Sequence, residues 1–209
     1  MGSVRGNETS LTKEKRGENR DLSTRRYMSR CKWVNLNNKL YIDYHDKEWG
    51  VPKYDDKYLF ELLILEMFQA GLTWECILNK RESFRKAFDN FNYDKISKYG
   101  EDKINALLVN KEIIRNKLKI KASIRNAKVF MNIQEEYGNF ANYIWSFTDN
   151  KVIYNKVIVT HNELSDQISK DLKNRGMKFV GTIIIYSYLQ AIGIINDHEK
   201  ECFLYGGEK

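Results

Sequence analysis

Four of the six cysteine and histidine residues in this 209-residue chain sit at its two ends. Cys31 and His45 lie near the start, and His198 and Cys202 lie near the finish. With only three His and three Cys in the chain, such pairing needs a reason. Two thiolates and two imidazoles complete a tetrahedral zinc site, and a site closed by four protein ligands is structural. It would clip the first ordered segment to the last and close everything between into one domain. His198 and Cys202 are four residues apart, which places two ligands on one helical turn. Cys31 and His45 are 14 apart and need a loop to meet. That spacing is looser than a compact finger, so a buried cysteine beside unrelated surface histidines is the competing reading.

The bulk properties narrow the class. A length of 209 residues and 42% apolar content suit one domain with a sizeable core. No apolar run reaches the roughly 18 residues of a membrane span. The start is polar and charged, without a secretory apolar region. Three cysteines without close pairing fit a reduced, cytoplasmic compartment. Net charge is +7. Residues 1–30 hold eight Lys/Arg against four Asp/Glu, and the rest holds 27 against 24. The body is therefore mildly basic, which permits a polyanionic partner without requiring one. Residues 1–27 lack periodicity and read as a disordered basic extension or an added segment, with Met28 as an alternative start.

The remainder reads as many short helices, an all-α pattern. Asp55 or Asp56 caps a helix to about Ala70, with Leu59, Leu62, Leu63 and Glu66 at helical spacing and Gly71 at its end. Thr73 caps the next, carrying Trp74, Ile77 and Leu78. Further helices fall near 81–88, 94–99, 101–109, 115–136, 140–147 and 163–175. In the long one, Leu118, Ala122, Ala127 and Phe130 are expected inward. Thr182 is expected to cap a last buried helix, Ile183 to Ile192. Residues 150–160 alternate Val and Ile and are ambiguous between loop and strand.

Three groups could carry chemistry. Trp33, Tyr41, Tyr44 and Trp49 cluster in one short segment, with Trp74 soon after. Such a segment can line a pocket for a planar ring, and a cationic ring gains further from π faces. A small aromatic core under a long loop is the alternative. Glu66 sits within Leu62-Leu63-Ile64-Leu65-Glu66-Met67-Phe68. A buried carboxylate needs a partner or a function; an exposed polar stripe is the plainer account. Cys76 falls on the apolar side of its helix and reads as core, and His161 reads as a solvated loop residue.

These residues resemble the DNA-3-methyladenine glycosylase I family of the helix-hairpin-helix superfamily. The resemblance runs from Met28 to about Tyr205. It rests on Cys31-Lys32-Trp33, on the run from Tyr41 to Pro52 and on Leu65-Glu66-Met67-Phe68-Gln69-Ala70-Gly71-Leu72-Thr73-Trp74. Lys178-Phe179-Val180-Gly181-Thr182 and Asn196-Asp197-His198 complete it, all in the family's order. It implies a single glycosylase domain over 28–209, an all-α multi-helix helix-hairpin-helix DNA glycosylase fold whose zinc clasp joins the N- and C-terminal segments. The Zn2+ ligands would be Cys31, His45, His198 and Cys202.

The same resemblance implies that Glu66 accepts hydrogen bonds from a flipped base, with Tyr41, Tyr44 and Trp74 around the ring. Trp33 and Trp49 would support the wall, and Ser187 matches a small polar residue near the base. A monomer would excise 3-methyladenine from double-stranded alkylated DNA and release the free base. Most helix-hairpin-helix glycosylases carry an Asp after the hairpin. None occurs here between residues 104 and 148, which agrees with the monofunctional, cation-specific branch. Arg115 and Lys117 would contact phosphate. The family's hairpin Gly is replaced by Glu112, whose carboxylate would repel phosphate, and Met67 and Phe68 occupy variable positions. The competing functions are a non-catalytic zinc-containing DNA-binding protein of the same fold and a glycosylase/lyase with a lysine nucleophile.

Overall fold

In this computed structural model the structure describes residues 29–155 and 159–206. The expected extension over 1–27 lies outside them. The described residues form ten α-helices: α1 Lys39–Lys47, α2 Asp56–Gln69, α3 Trp74–Asn79, α4 Arg81–Ala87, α5 Tyr93–Ser97, α6 Glu101–Val109, α7 Lys117–Tyr137, α8 Phe140–Ser146, α9 Glu163–Asn174 and α10 Thr182–Ala191. Two short strands, β1 Ile153–Tyr154 and β2 Ile195–Asn196, pair in parallel, with Ile153 opposite Ile195. The ambiguous 150–160 stretch thus contributes a strand to an otherwise helical fold. No helix among the described residues is long and apolar enough to cross a membrane.

Helix α2 runs through the middle. Every residue from Leu59 to Phe68 is buried, as expected of a helix apolar on all sides. Asp55 caps it by accepting from the Tyr58 amide at 2.8 Å. Asp56 turns to a neighbouring helix and accepts from the Phe140 and Ala141 amides at 2.8 and 2.9 Å. A carboxylate there satisfies orphan donors at the start of α8 and complements its dipole. Glu61, the other buried acid of α2, pairs with Arg81 at 2.5 Å and Arg85 at 2.7 Å, and Arg81 also reaches Glu48 at 2.7 Å. That network anchors the end of α1 to α2 and α4.

Helix α7 packs against the other end of α2. The buried Lys119 donates to the Phe68 and Ala70 carbonyls at 2.9 and 2.8 Å. These are orphan acceptors at a helix C-terminus, where a cation is also favoured by the dipole. Burial lowers the Lys119 pKa.

Several expectations are corrected. The run from Lys39 to Lys47, to which the sequence reading assigned no helix, is a helix capped by Asn38. The aromatic density hid its period. Leu118 points outward, 69% exposed, because the inward face of α7 runs through Lys119, Ile120, Ala122 and Ser123 instead. Cys76 is only half-buried, since Ile77 and Leu78 take the inward face of α3. The cap of α10 is Gly181. The Thr182 hydroxyl instead engages Ser165 and Asp166 of α9. His161 is exposed and faces Asp166 at 3.4 Å.

The chain ends meet where α10 passes into β2. Gly193 has φ +77°, and a Cβ there would lie 2.2 Å from the Val51 carbonyl carbon. Both the backbone angle and the contact require glycine. Gly193→Ala is expected to destabilise the protein by about 2–3 kcal/mol, read as a lowered melting temperature and urea midpoint. A wild-type midpoint would show that the 50–52 segment does not seat on Gly193.

Candidate active site and metal cluster

The segment before α1 and the last turn of α1 meet the C-terminal segment after β2. Cys31, His45, His198 and Cys202 are all buried, and their ligand atoms lie within 4.8 Å of one another. Cys202 Sγ is 3.4 Å from His45 Nε2 and 3.5 Å from His198 Nδ1, and Cys31 Sγ is 3.5 Å from His198 Nδ1. Metal–sulfur and metal–nitrogen bonds of about 2.3 and 2.0 Å at tetrahedral angles give an S···N separation of about 3.5 Å. The four atoms therefore fit a tetrahedral ion. His45 Nδ1 contacts Asp46 at 2.8 Å, and Arg30 holds Asp46 at 2.7 Å. His198 Nε2 faces the Trp49 carbonyl at 3.3 Å. Each imidazole thus has an acceptor at one nitrogen and turns the other toward the cluster. Burial lowers the His45 pKa, takes His198 down to about 4 and pushes Cys31 up to about 12. Neutral imidazoles suit a metal, whereas the thiols must be deprotonated by it.

The aromatic residues pack on this cluster. Trp49 meets His198 edge-on with ring centroids 4.7 Å apart, and Trp33 meets His45 at 5.3 Å. Trp33 also contacts Trp49 at 4.9 Å and Tyr41 at 5.3 Å. Tyr44 of α1 packs on Trp74, the first residue of α3, at 5.1 Å. The Glu75 carboxylate accepts from Asn35 and Asn38 at 2.8 Å each, which fixes α3 to the start of α1.

A cavity of about 290 Å³ opens among these rings, at the small end of ligand sites. Trp33, Tyr41, Tyr44, Trp49, Glu66, Trp74 and Ser187 all line it. The aromatic group, Glu66 and Ser187 thus share one cavity. Arg115 and Lys117 stand apart from it, both exposed, Arg115 on the connection between α6 and α7 and Lys117 as the first residue of α7. There the Glu112 amide donates to Asn110 at 3.0 Å, and Lys80 holds the Glu112 carbonyl at 3.1 Å. Met67 and Phe68 are fully buried in the core and do not line the cavity.

Glu66 is 3% exposed, and its Oε2 has no hydrogen-bond partner among the described residues. Trp74 Nε1 is equally orphaned in the same wall. An acceptor and a donor buried without partners await a polar ligand. Burial alone pushes the Glu66 carboxyl up from 4.5 to about 8. No lysine is among the described residues that line the cavity.

Sequence reasoning missed the opposite wall. Apart from the expected Ser187, Ile183, Tyr186 and Gln190 line the cavity from α10, together with Asp197. The Asp197 carboxylate accepts from Tyr186 at 2.5 Å, Gln190 at 2.7 Å and Asn155 at 3.0 Å. Ser187 was a usable signal, because positions 183, 186, 187 and 190 share one helical face.

A family model for methyladenine glycosylase matches residues 33–205. The chain belongs to the methyladenine glycosylase family. DNA-3-methyladenine glycosylase of Haemophilus influenzae is 42% identical over 179 residues, 83% of this chain and 96% of that protein. DNA-3-methyladenine glycosylase 1 of Escherichia coli is 42% identical over 187 residues, 87% of this chain and 100% of that protein. The structure of 3-methyladenine DNA glycosylase I from Staphylococcus aureus, which concerns 3-methyladenine recognition, superposes with TM-score 0.81 at 33% identity. It covers 87% of this chain and 99% of that one. Another family structure holds 3-methyladenine itself, with TM-score 0.82 at 32% identity, covering 87% of this chain and 100% of that one.

The orphaned carboxyl has a thermodynamic signature. Its folded pKa lies above the unfolded one, so the folded chain keeps a proton that the unfolded chain has released. Stability therefore falls as pH rises from 4.5 toward about 8. Glu66→Gln is expected to match wild-type stability near pH 4.5. It should exceed it by a few kcal/mol at pH 8 and above. Parallel denaturation curves across that range would show that Glu66 is neither desolvated nor unpartnered.

Proposed function

We infer that this chain is a monofunctional DNA-3-methyladenine glycosylase that hydrolyses the N-glycosidic bond of 3-methyladenine in alkylated DNA. The observation that carries this reading is the partnerless Glu66 carboxyl within the aromatic box, in a chain of the methyladenine glycosylase family.

In DNA, 3-methyladenine is a cation with an exocyclic amine. Rings at Tyr41, Tyr44 and Trp74 supply π faces to a cationic base. Glu66 supplies an acceptor whose charge becomes favourable once the cation enters, which draws its pKa back down. The enzyme flips the nucleotide into this cavity at the cost of unstacking, which is least for a damaged pair. Trp33 and Trp49 hold the wall, and Ser187 faces the base from α10. The methylated base leaves with the bonding electron pair and becomes neutral, and water adds to the sugar carbon and gives up its proton to solvent. Leaving-group protonation is not required. A lyase route would need an amine in the cavity. Arg115 and Lys117 take backbone phosphates, and the carboxylate of Glu112 weakens that contact. A Zn2+ ion held by Cys31, His45, His198 and Cys202 would supply a structural tie, with four protein ligands leaving no open position for chemistry. Residues 28–209 act as one catalytic domain on double-stranded DNA.

Release of free 3-methyladenine from methylated duplex by the purified protein tests the assignment and separates it from a non-catalytic DNA-binding protein. Glu66→Ala should bind free 3-methyladenine roughly ten- to a few hundred-fold more weakly, while affinity for undamaged DNA holds. Glu66→Gln should fall between wild type and Ala in binding and excision. Wild-type base binding by Gln with no excision would instead make Glu66 an obligatory general base.

For the clasp, metal analysis is expected to give one zinc per chain. Chelation should lower the melting temperature and change tryptophan fluorescence through Trp33 and Trp49. Zinc-free protein of unchanged stability would refute the clasp.

A further inference from the structure

Beyond the base cavity, α7 and the turn before α10 build a second, differently furnished surface. Asn126 of α7 is fully buried and grips Lys178 twice. Its Oδ1 accepts from the Lys178 amide at 2.8 Å, and its Nδ2 donates to the Lys178 carbonyl at 2.9 Å. Arg125 donates to the Gly176 carbonyl next to it. This grip holds the next residue, Phe179, at φ 56°, a conformation that bulky residues rarely adopt.

Phe91 shares that conformation, with φ 54°, but its ring is fully buried in the core. Core packing offsets the strain there. Phe179 is 37% exposed and has no comparable compensation. A strained residue that presents an apolar ring to solvent points to a ligand.

The surroundings indicate which ligand. Leu118 and Ala122 form an apolar floor with Phe179, and Lys121, Arg125 and Lys178 stand around it. Glu101 is the acidic neighbour, 3.3 Å from Lys121. Lysine is depleted from protein–protein interfaces, whereas an aromatic ring among cations suits a nucleic-acid strand. Position also matters. Ile183, four residues beyond Phe179, lines the base cavity, and Leu118 follows Lys117 at the hairpin. The patch therefore bridges the cavity mouth and the hairpin.

We propose that the Phe179 turn is a second DNA contact. Its ring packs on a sugar or base beside the flipped nucleotide, and Lys121, Arg125 and Lys178 take phosphates of the same strand. The proposal rests on the reading that this chain acts on DNA, and it adds a contact that the hairpin and the base cavity do not supply.

The test uses the full chain and fluorescence anisotropy with two duplexes, one carrying a tetrahydrofuran abasic analogue and one undamaged. Phe179→Asn removes the ring while tolerating positive φ. It should melt at or above the wild-type temperature yet bind the analogue duplex about ten-fold more weakly. Phe179→Tyr should restore affinity. Lys178→Ala should reduce the slope of log affinity against log salt by about one, the change expected for loss of one phosphate contact. Free 3-methyladenine binding should be unchanged in the Phe179 and Lys178 variants.

Wild-type affinity and salt slope in both Phe179→Asn and Lys178→Ala would overturn the proposal. So would an affinity loss that tracks a lowered melting temperature and is not rescued by Tyr. Self-association of wild type, abolished by Phe179→Asn with DNA binding intact, would assign the patch to a second copy instead. If wild type binds the duplexes but releases no 3-methyladenine, the glycosylase reading fails, while the contact is still judged by these variants.

Discussion

The edge-on packing of Trp49 against His198 and of Trp33 against His45 is the contact on which the rest of the site depends. One ring of each pair belongs to the cavity wall and the other to the metal cluster. The cluster joins residues more than 150 positions apart. Tying the chain ends thus also sets the shape of the base-facing wall. Holding that wall in place before a ligand arrives removes an ordering cost from binding. The same logic explains why α1 needs so many ties. Asn38 caps it, Glu75 is gripped by its N-terminal turn, and Glu48 reaches the buried Arg81.

Against this prepared wall stands a deliberately unsatisfied helix. Helix α2 buries ten consecutive residues, and most polar groups on it are matched. Glu61 has two arginines, and the end carbonyls have Lys119. Glu66 alone among its buried carboxylates keeps an oxygen without a partner. The surrounding network shows that the fold can satisfy a buried acid. Leaving one unsatisfied at the cavity is a local cost that a ligand can recover. Such conflicts between folding and chemistry belong at functional sites.

Much of this was legible in the sequence, for reasons that differ by residue. The Cys/His cluster was readable because Cys and His are scarce here and side-chain type alone restricts their chemistry. Glu66 stood out because an acid inside an apolar heptad violates the pattern of its own helix. Helix α1 was not legible, since Tyr41, Tyr44 and charged residues are interspersed along it without a clear 3.6-residue apolar stripe. The tertiary clasp sets it rather than local preference. The outward turn of Leu118 was hidden for a related reason. Its place inward is taken by Lys119, which becomes buriable only because α2 offers it two carbonyls. Asp197 lay in plain view next to a clasp histidine, but its donors come from α10 and the 150s segment. No local pattern reports that meeting.

Lys119 gives the fold a further property. It begins in the first turn of the helix that follows the hairpin and ends on the last carbonyls of the helix that carries Glu66. The element proposed to meet the phosphate backbone and the element proposed to read the base are therefore tied to each other. Transplanting this hairpin into another scaffold, or replacing it with a foreign one, would move the Glu66 carboxylate unless the lysine and its two carbonyls travel together. Modularity in this architecture ends at α7: the unit that can be exchanged is the hairpin with α2, never the hairpin alone.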